Sequence, residues 1–593
     1  MAHAFGQWTL GLDGKGMPSR DLVGGKAWSV ARMQALGLTV PAAFVVTTSA
    51  CKAFLANGCE PPELETEIDA AIAWLAAKTE RTFGQGPHPL LVSVRSGAPV
   101  SMPGMMDTVL NLGVNDATEA ALAAECGDAA FARNTHKRFL DLYAQIVLKF
   151  AAPELDEARR PAEWRAAIAA HCGAEIPADA RQQLREAVRA VFHSWNSRRA
   201  RRYRQHHKIS DDLGTAVTVQ AMVFGNLDAR SGTGVLFSRN PSTGAREPYG
   251  EYLPRAQGED VVSGKFTPQP LTALGADVPE ALAELLNAAQ ALEKAGRDVQ
   301  DIEFTVERGR LYFLQSRAAK LAPHAAAEIA VALAEEGLID RKAAVMRVSP
   351  DQVRILLSPR IRARALGGAR LLASGEPASP GVGIGFVVTN SDEAERRADQ
   401  GDPVVLARPT TSPDDLHGMI AARAVVTQEG GSTSHAAVVS RALGLPCVVG
   451  CGRGALQQMT NELVTVDGRA GKVYAGALEI EAPDESGDKA LAVLTQWAAK
   501  QSPLRVIAAS CAEAQTAIDI TGDADAAAPE KIGLALQRVK GARGVRGGLI
   551  ASDEGVRAAI EAGLEFIVAD PILPPLLVAV RLAAEAAVKV ENA

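Results

Sequence analysis

The chain has 593 residues, of which 47% are hydrophobic and 5% aromatic, enough to bury several cores and so to form three or four domains. A net charge of −7 argues against general affinity for nucleic acid, no apolar run reaches the length of a bilayer span, and Met1 to Trp8 lacks the apolar core of a signal peptide. The expectation is a cytoplasmic, multidomain protein with no nucleic-acid or membrane partner.

From the N-terminus, Gly24-Gly25-Lys26 and then Ser93-Val94-Arg95-Ser96-Gly97 each set a cation beside small residues, as close approach of a polyphosphate to backbone N–H groups requires. Val40 to Thr47, Leu90 to Val94, Ala216 to Val223 and Gly234 to Phe237 read as strands, while Ile68, Ile72 and Leu75 recur at helical spacing. Ser101 to Thr108 is a methionine-rich loop in which Gly104 either lets the backbone lie against phosphate or simply makes a turn. Phe139, Leu142, Tyr143, Ile146, Val147 and Phe150 repeat with the helical period, which predicts a helical insertion from about 115 to 207 whose aromatic positions are core. Near its end Arg198, Arg199, Arg201, Arg202, Arg204 and Lys208 read as a solvated helix face.

Asp301 to Val306 alternates polar and apolar residues, and a Glu307-Arg308-Gly309-Arg310 turn leads into Leu311 to Arg317, which predicts a β-hairpin with Asp301 and Glu303 on one face. With Gln315 these carboxylates supply oxygens suited to Mg²⁺. Residues 322 to 366 read as connecting helix, and the Pro/Gly-marked restart at Ala378 to Gly385 opens a separate compact domain. Within it, Gly430-Gly431-Ser432-Thr433-Ser434-His435 runs into an apolar segment, so Thr433 or Ser434 can cap a short helix beginning near His435 and ending at Gly444. Unpaired N–H groups at that helix start favour a neutral imidazole and would stabilise an anionic phosphohistidine. The seven cysteines form neither a disulfide framework nor a metal-ligand set, and are expected to be reduced.

The stretch from Gly430 to Arg441 resembles the phosphohistidine motif of the phosphoenolpyruvate-utilising enzymes, which in the pyruvate phosphate dikinase family usually reads GGMTSHAA followed by VVAR. Here Ser432 stands for the Met and Ser440 for an Ala, and Gln428-Glu429 replaces a small or basic pair. Residues 20 to 320, including Ser231 to Pro241 and Gln257 to Val262, resemble the ATP-grasp nucleotide-binding domain of the same family. The resemblance implies a mixed α/β and α+β multidomain fold. Its parts would be an ATP-grasp domain at 1–340 with the insertion at about 115–207, a helical linker at 341–375, a swivelling phosphohistidine β/β/α domain at 376–485, and a linker with a small α/β remnant at 486–593.

It further implies that Lys26, Arg95, Gly104 and Arg138 contact nucleotide, that Glu303 and Gln315 hold Mg²⁺, that Asp301 and Arg317 support the site, and that His435 is the catalytic nucleophile. Thr433 would cap the helix or carry a regulatory phosphate. The implied activity is an ATP-dependent kinase half-reaction that uses inorganic phosphate, releases AMP and pyrophosphate, and passes phosphoryl to a small molecule or a protein. A phosphocarrier or regulatory nucleotide-binding protein acting through a partner is the alternative. No feature points to an oligomeric state.

The family's pyruvate site is a TIM barrel of about 250 residues, whereas only the tail from Glu485 follows the histidine domain. Leu504 to Ala508 resembles a first barrel strand and Glu554 to Val568 a last repeat. The pattern Cys-Gly-Glu-His-Gly-Gly has no counterpart, Gly547 to Ser552 standing at the comparable place. Full conversion of pyruvate is therefore not expected of these residues alone.

Overall fold

The computed structural model describes residues 3–591 except 101, 103–104, 151–158, 263–265, 358–359, 444, 482–484, 522 and 528. A first sheet takes the order β1-β2-β3-β6-β4-β5, from His3–Ala4 (β1), Thr9–Leu12 (β2), Ala43–Val46 (β3), Val92–Gly97 (β4), Thr108–Leu112 (β5) and Ala216–Ala221 (β6). Its β4 and β6 are buried almost throughout, which fits their run of Val, Ala and Ser. Four helices of the expected insertion, Asp116–Cys126, Ala129–Ile146, Pro161–Cys172 and Ala180–Ser194, pack onto it through Phe139, Tyr143, Trp164, Val188 and Phe192. The helical period of the second of these stops at Ile146, leaving Phe150, expected on the same face, exposed.

A second sheet takes the order β9-β8-β7-β10-β11, from Gly232–Phe237 (β7), Tyr249–Pro254 (β8), Gln269–Pro270 (β9), Gln300–Glu307 (β10) and Arg310–Ala318 (β11). The predicted hairpin is β10–β11, with Asp301 opposite Arg317 and Glu303 opposite Gln315. Helix α1 (Arg20–Ala35) ties the two sheets together, since Val23, Ala27, Val30 and Met33 share a core with Ala43, Val45, Ile302, Phe304 and Phe313.

The residues around His435 form an eight-stranded sheet, ordered β12-β19-β18-β14-β15-β16-β17-β13, from Leu371–Ser374 (β12), Glu376–Ser379 (β13), Val382–Val388 (β14), Val404–Arg408 (β15), Ala424–Thr427 (β16), Cys447–Val449 (β17), Leu463–Asp467 (β18) and Lys472–Ala475 (β19). Helix α2 (His435–Leu443) lies against β13 and β17. One face of this sheet shares a core with Ala98, Met102, Met105, Trp195 and Tyr203 of the N-terminal unit. The methionine-rich loop thus packs against the histidine helix as well as bordering the cleft described below, and Gly104 lies outside the described residues.

Past residue 503, Arg505–Ile507 (β20), Ile518–Asp519 (β21), Gly544–Arg546 (β22) and Phe566–Val568 (β23) make a small parallel sheet in the order β20-β23-β22-β21. Its core is continuous with the helices between Pro323 and Leu356 through Ala330, Val345, Val353, Leu494 and Leu577. None of the described helices is long and apolar enough to cross a membrane, and none of the seven cysteines is in a disulfide.

Candidate phosphoryl-transfer site

Lys26 is placed by a break in α1. Gly24 has φ +72°, and a Cβ there would stand 1.8 Å from the carbonyl oxygen of Gly97, so only glycine brings the helix start this close to the end of β4. Gly25 N–H then donates to the Ala98 carbonyl at 2.9 Å. The two small-residue motifs, 70 positions apart in sequence, are therefore one structure, which presents Lys26 and Arg95 to the same space.

Arg95 Nη2 donates to Glu303 Oε2 at 2.9 Å and to Gln315 Oε1 at 3.2 Å, and Arg317 Nε donates to Asp301 Oδ2 at 2.8 Å. Burial works against a charge on Glu303, but Arg95, Arg317 and Lys26 outweigh it and hold the carboxyl below its ordinary value. Lys26 suffers the opposite balance: burial, with Arg95 next to it, brings its ammonium down to about 7 despite Glu303. Glu303 and Gln315 offer two neighbouring oxygens on adjacent strands. Both accept from Arg95 here; a carboxylate and an amide oxygen side by side are the few protein ligands that Mg²⁺ takes while keeping water.

A cavity of about 640 Å³ is lined by Lys26, Arg95, Glu303, Gln315 and Arg317 on one side and by Thr411, Ser412, Thr433 and His435 on the other. His435 Nδ1 lies 3.2 Å from Thr411 Oγ1, and its Nε2 is buried and has no hydrogen-bond partner among the described residues. Burial pushes the imidazole down to about 4, against the opposing charges of Asp415 and Asp414. At neutral pH the ring is uncharged, and with Nδ1–H donated to Thr411 the lone pair is on Nε2.

The helix cap differs from expectation. Ser434 occupies the cap position, its carbonyl accepting from Val438 N–H at 3.0 Å, but its Oγ has no partner among the described residues. Thr433 Oγ1 instead donates to Glu251 Oε2 at 2.6 Å. The buried Glu251 carboxyl on β8 takes the hydrogen of this hydroxyl and so orients the Thr433 side chain towards β8.

Arg138 does not line this cavity; its guanidinium makes a bidentate pair with Asp260, at 3.0 and 3.1 Å. Asp260 in turn accepts from Gln257 N–H at 2.9 Å. Gln257 borders a second cavity of about 290 Å³ between the two sheets, lined also by Leu110, Met222, Val223, Val235, Phe304 and Leu314. Sequence reading missed this apolar slot. Its lining comes from strands hundreds of residues apart, and each residue alone reads as ordinary core. Arg95 and Glu303 line both cavities, so the slot opens onto the charged end of the larger one. The basic stretch is also more structural than expected: Arg204 is buried over the Trp195 ring at 4.1 Å and paired with Asp211, and Arg199 pairs with Asp107.

Residues 59–279 match the family model for the pyruvate phosphate dikinase AMP/ATP-binding domain, and residues 400–471 match that for the mobile domain of PEP-utilising enzymes. Lys26, Glu303 and Gln315 lie outside the first matched segment. The chain is 41% identical over 536 residues to the pyruvate, phosphate dikinase of Clostridium symbiosum, covering 84% of this chain and 61% of that protein. It is 42% identical over 547 residues to the enzyme of Rhizobium meliloti (84% and 60%). Against pyruvate, phosphate dikinase 2 of Oryza sativa subsp. japonica it is 41% identical over 523 residues (82% and 58%). The matched region thus spans about three fifths of the length of these relatives.

Proposed function

We propose that this chain, which belongs to the pyruvate phosphate dikinase family, is an ATP-dependent histidine phosphotransferase whose nucleophile is His435. The observation that carries the proposal is the neutral ring of His435, its Nε2 without a hydrogen-bond partner among the described residues, lining one cavity with Lys26, Arg95 and Glu303. In this reading residues 1–340 are an ATP-grasp domain and 376–485 a swivelling domain, joined by the linker at 341–375, with 486–593 a linker and small α/β remnant whose core runs on into the helices between Pro323 and Leu356. The purine enters the apolar slot between the sheets, and the phosphates run past Arg95 towards Lys26.

His435 Nε2 attacks the β-phosphorus. The bond from that phosphorus to the α,β-bridging oxygen breaks and AMP leaves with the electron pair; an inorganic phosphate oxygen then attacks the γ-phosphorus, the bond from the γ-phosphorus to the β,γ-bridging oxygen breaks, pyrophosphate leaves, and the β-phosphoryl stays on His435. Thr411 holds the Nδ1 proton so that the lone pair stays on Nε2. Lys26, Arg95 and Arg317 neutralise charge on the transferred group, the term that dominates such chemistry. Mg²⁺, held by Glu303 and Gln315, would neutralise the phosphate oxygens. The phosphorylated domain then swings to an acceptor, a small molecule or a protein, rather than to a pyruvate pocket within residues 1–593. Thr433 is the candidate regulatory hydroxyl.

The test is incubation with β-³²P-ATP, Mg²⁺ and phosphate, followed by detection of acid-labile label. Wild type acquires label and releases AMP, and His435→Ala does neither. Label retained by His435→Ala would exclude the assignment.

A further inference from the structure

Between β8 and the histidine loop the structure holds a chain of oxygens, buried at Glu251, Ser432 and Thr433 and part-buried at Tyr249 and Glu376, that no step above uses. Glu251 Oε1 accepts from Ser432 Oγ at 3.1 Å and Glu251 Oε2 from Thr433 Oγ1 at 2.6 Å. The Tyr249 hydroxyl lies 2.8 Å from Ser432 Oγ and 2.6 Å from Glu376 Oε1. Tyr249 and Glu251 belong to β8 of the N-terminal unit; Glu376, Ser432 and Thr433 belong to the unit that carries His435. Glu251, Ser432 and Thr433 are all less than a tenth exposed. The approach is tight, because a Cβ on Gly431 would stand 2.6 Å from Glu251 Oε1.

Counting hydrogens decides the protonation. Four oxygen–oxygen contacts, Thr433–Glu251, Ser432–Glu251, Tyr249–Ser432 and Tyr249–Glu376, need four hydrogens, and the three hydroxyls supply only three. With both carboxylates ionised, one contact sets lone pair against lone pair inside a buried interface that also holds two negative charges. One added proton satisfies all four. It can sit on Glu251, with Ser432 donating to Tyr249 and Tyr249 to Glu376, or on Glu376 with those donations reversed.

We infer that seating the His435 domain on the cleft takes up one proton, shared along Glu251–Ser432–Tyr249–Glu376, and that these side chains are positioning residues making the seating depend on pH. Burial raises the Glu251 carboxyl above its ordinary value and Glu376 adds to this, while the hydrogen bonds from Thr433 and Ser432 oppose it without cancelling it. Burial and the charge of Glu376 push the Tyr249 phenol well up, so its hydrogen stays on the chain. The cross-strand neighbours of Glu251, Val235 and Pro270, carry no charge. Because the raised value belongs to the seated state, its contribution is fully present below the ordinary carboxylate value and is lost as pH rises through the raised one. The inference needs only the seated geometry and stands or falls apart from phosphoryl transfer.

Seating is read as energy transfer between dyes on Cys59 and on a cysteine introduced by Arg453→Cys, with Cys511→Ser removing the other exposed thiol. His435 titrates in the opposite sense, so the measurements use a His435→Asn background. Glu251→Gln supplies the missing hydrogens permanently. The ratio of its seating constant to that of the Glu251 protein is expected to grow with pH by up to about tenfold per unit, the limit for one proton. Ser432→Met and Tyr249→Phe break the chain and remove the hydrogen deficit but leave Glu251 buried, so in both the ratio should level off at a lower pH. A ratio constant from pH 4.5 to 8, or one that levels off at the same pH in Ser432→Met and Tyr249→Phe, would overturn the inference.

Discussion

Lys26 makes nucleotide affinity a titration. Its ammonium sits at about 7 in the cleft because burial and the neighbouring Arg95 outweigh Glu303. A polyphosphate laid beside it supplies the missing negative charge and restores the proton. The bound state then has the higher pKa, so the contribution of Lys26 to binding is complete below about 7 and falls away as pH rises above it. With half the ammonium present at pH 7 and about 3% at pH 8.5, affinity for Mg²⁺-ATP should fall about 16-fold over that range. Isothermal titration in two buffers of different ionisation enthalpy should register proton uptake of about half a proton per nucleotide at pH 7, approaching one at pH 8.5. In Lys26→Met both the slope and the uptake should vanish while weak binding remains. Wild-type affinity that is flat from pH 7 to 8.5, or a slope unchanged in Lys26→Met, would refute the reasoning.

Thr411→Val removes the partner of His435 Nδ1. One hydrogen bond is worth about 1 kcal/mol, so histidine phosphorylation should slow roughly five- to tenfold, with nucleotide affinity unchanged in single-turnover and binding assays. Gly24→Ala forces a Cβ into the Gly97 carbonyl at φ +72°; the expected loss is about 3 kcal/mol or more, seen as a lower Tm and as lost nucleotide binding. Arg239 is 2% exposed and joins Glu293 and Glu336, each at 2.8 Å. Arg239→Met removes the buried cation between these carboxylates, leaving Glu336 with Arg246 at 3.4 Å and Glu293 with the Ser238 hydroxyl at 2.6 Å, and should cost about 3 kcal/mol, a loss that denaturant unfolding would detect and that acidification should partly relieve.

The local readings transferred well where one strand or one helix held the whole signal. The alternation from Asp301 to Arg317 specified a hairpin and put Glu303 across from Gln315. The glycine-rich run before His435 marked a helix start, and the helix begins at that residue. Lys26 and Arg95 were legible as cations beside small residues, because only such residues let a backbone come close to phosphate.

What sequence could not supply was company. Thr433 looked like a cap until Glu251, 182 positions away, took its hydroxyl. Arg138 looked like a phosphate ligand, but in the fold it is already paired with Asp260. The apolar slot between the sheets exists only because strands from distant segments face each other. By itself the chain determined the local hairpin, the helix start and which polar residues stand beside glycines, since periodicity, glycine placement and residue type act over a few neighbouring positions. Only the tertiary structure decided protonation and pairing, because burial and the approach of distant charges set the state of Lys26, Glu251 and His435.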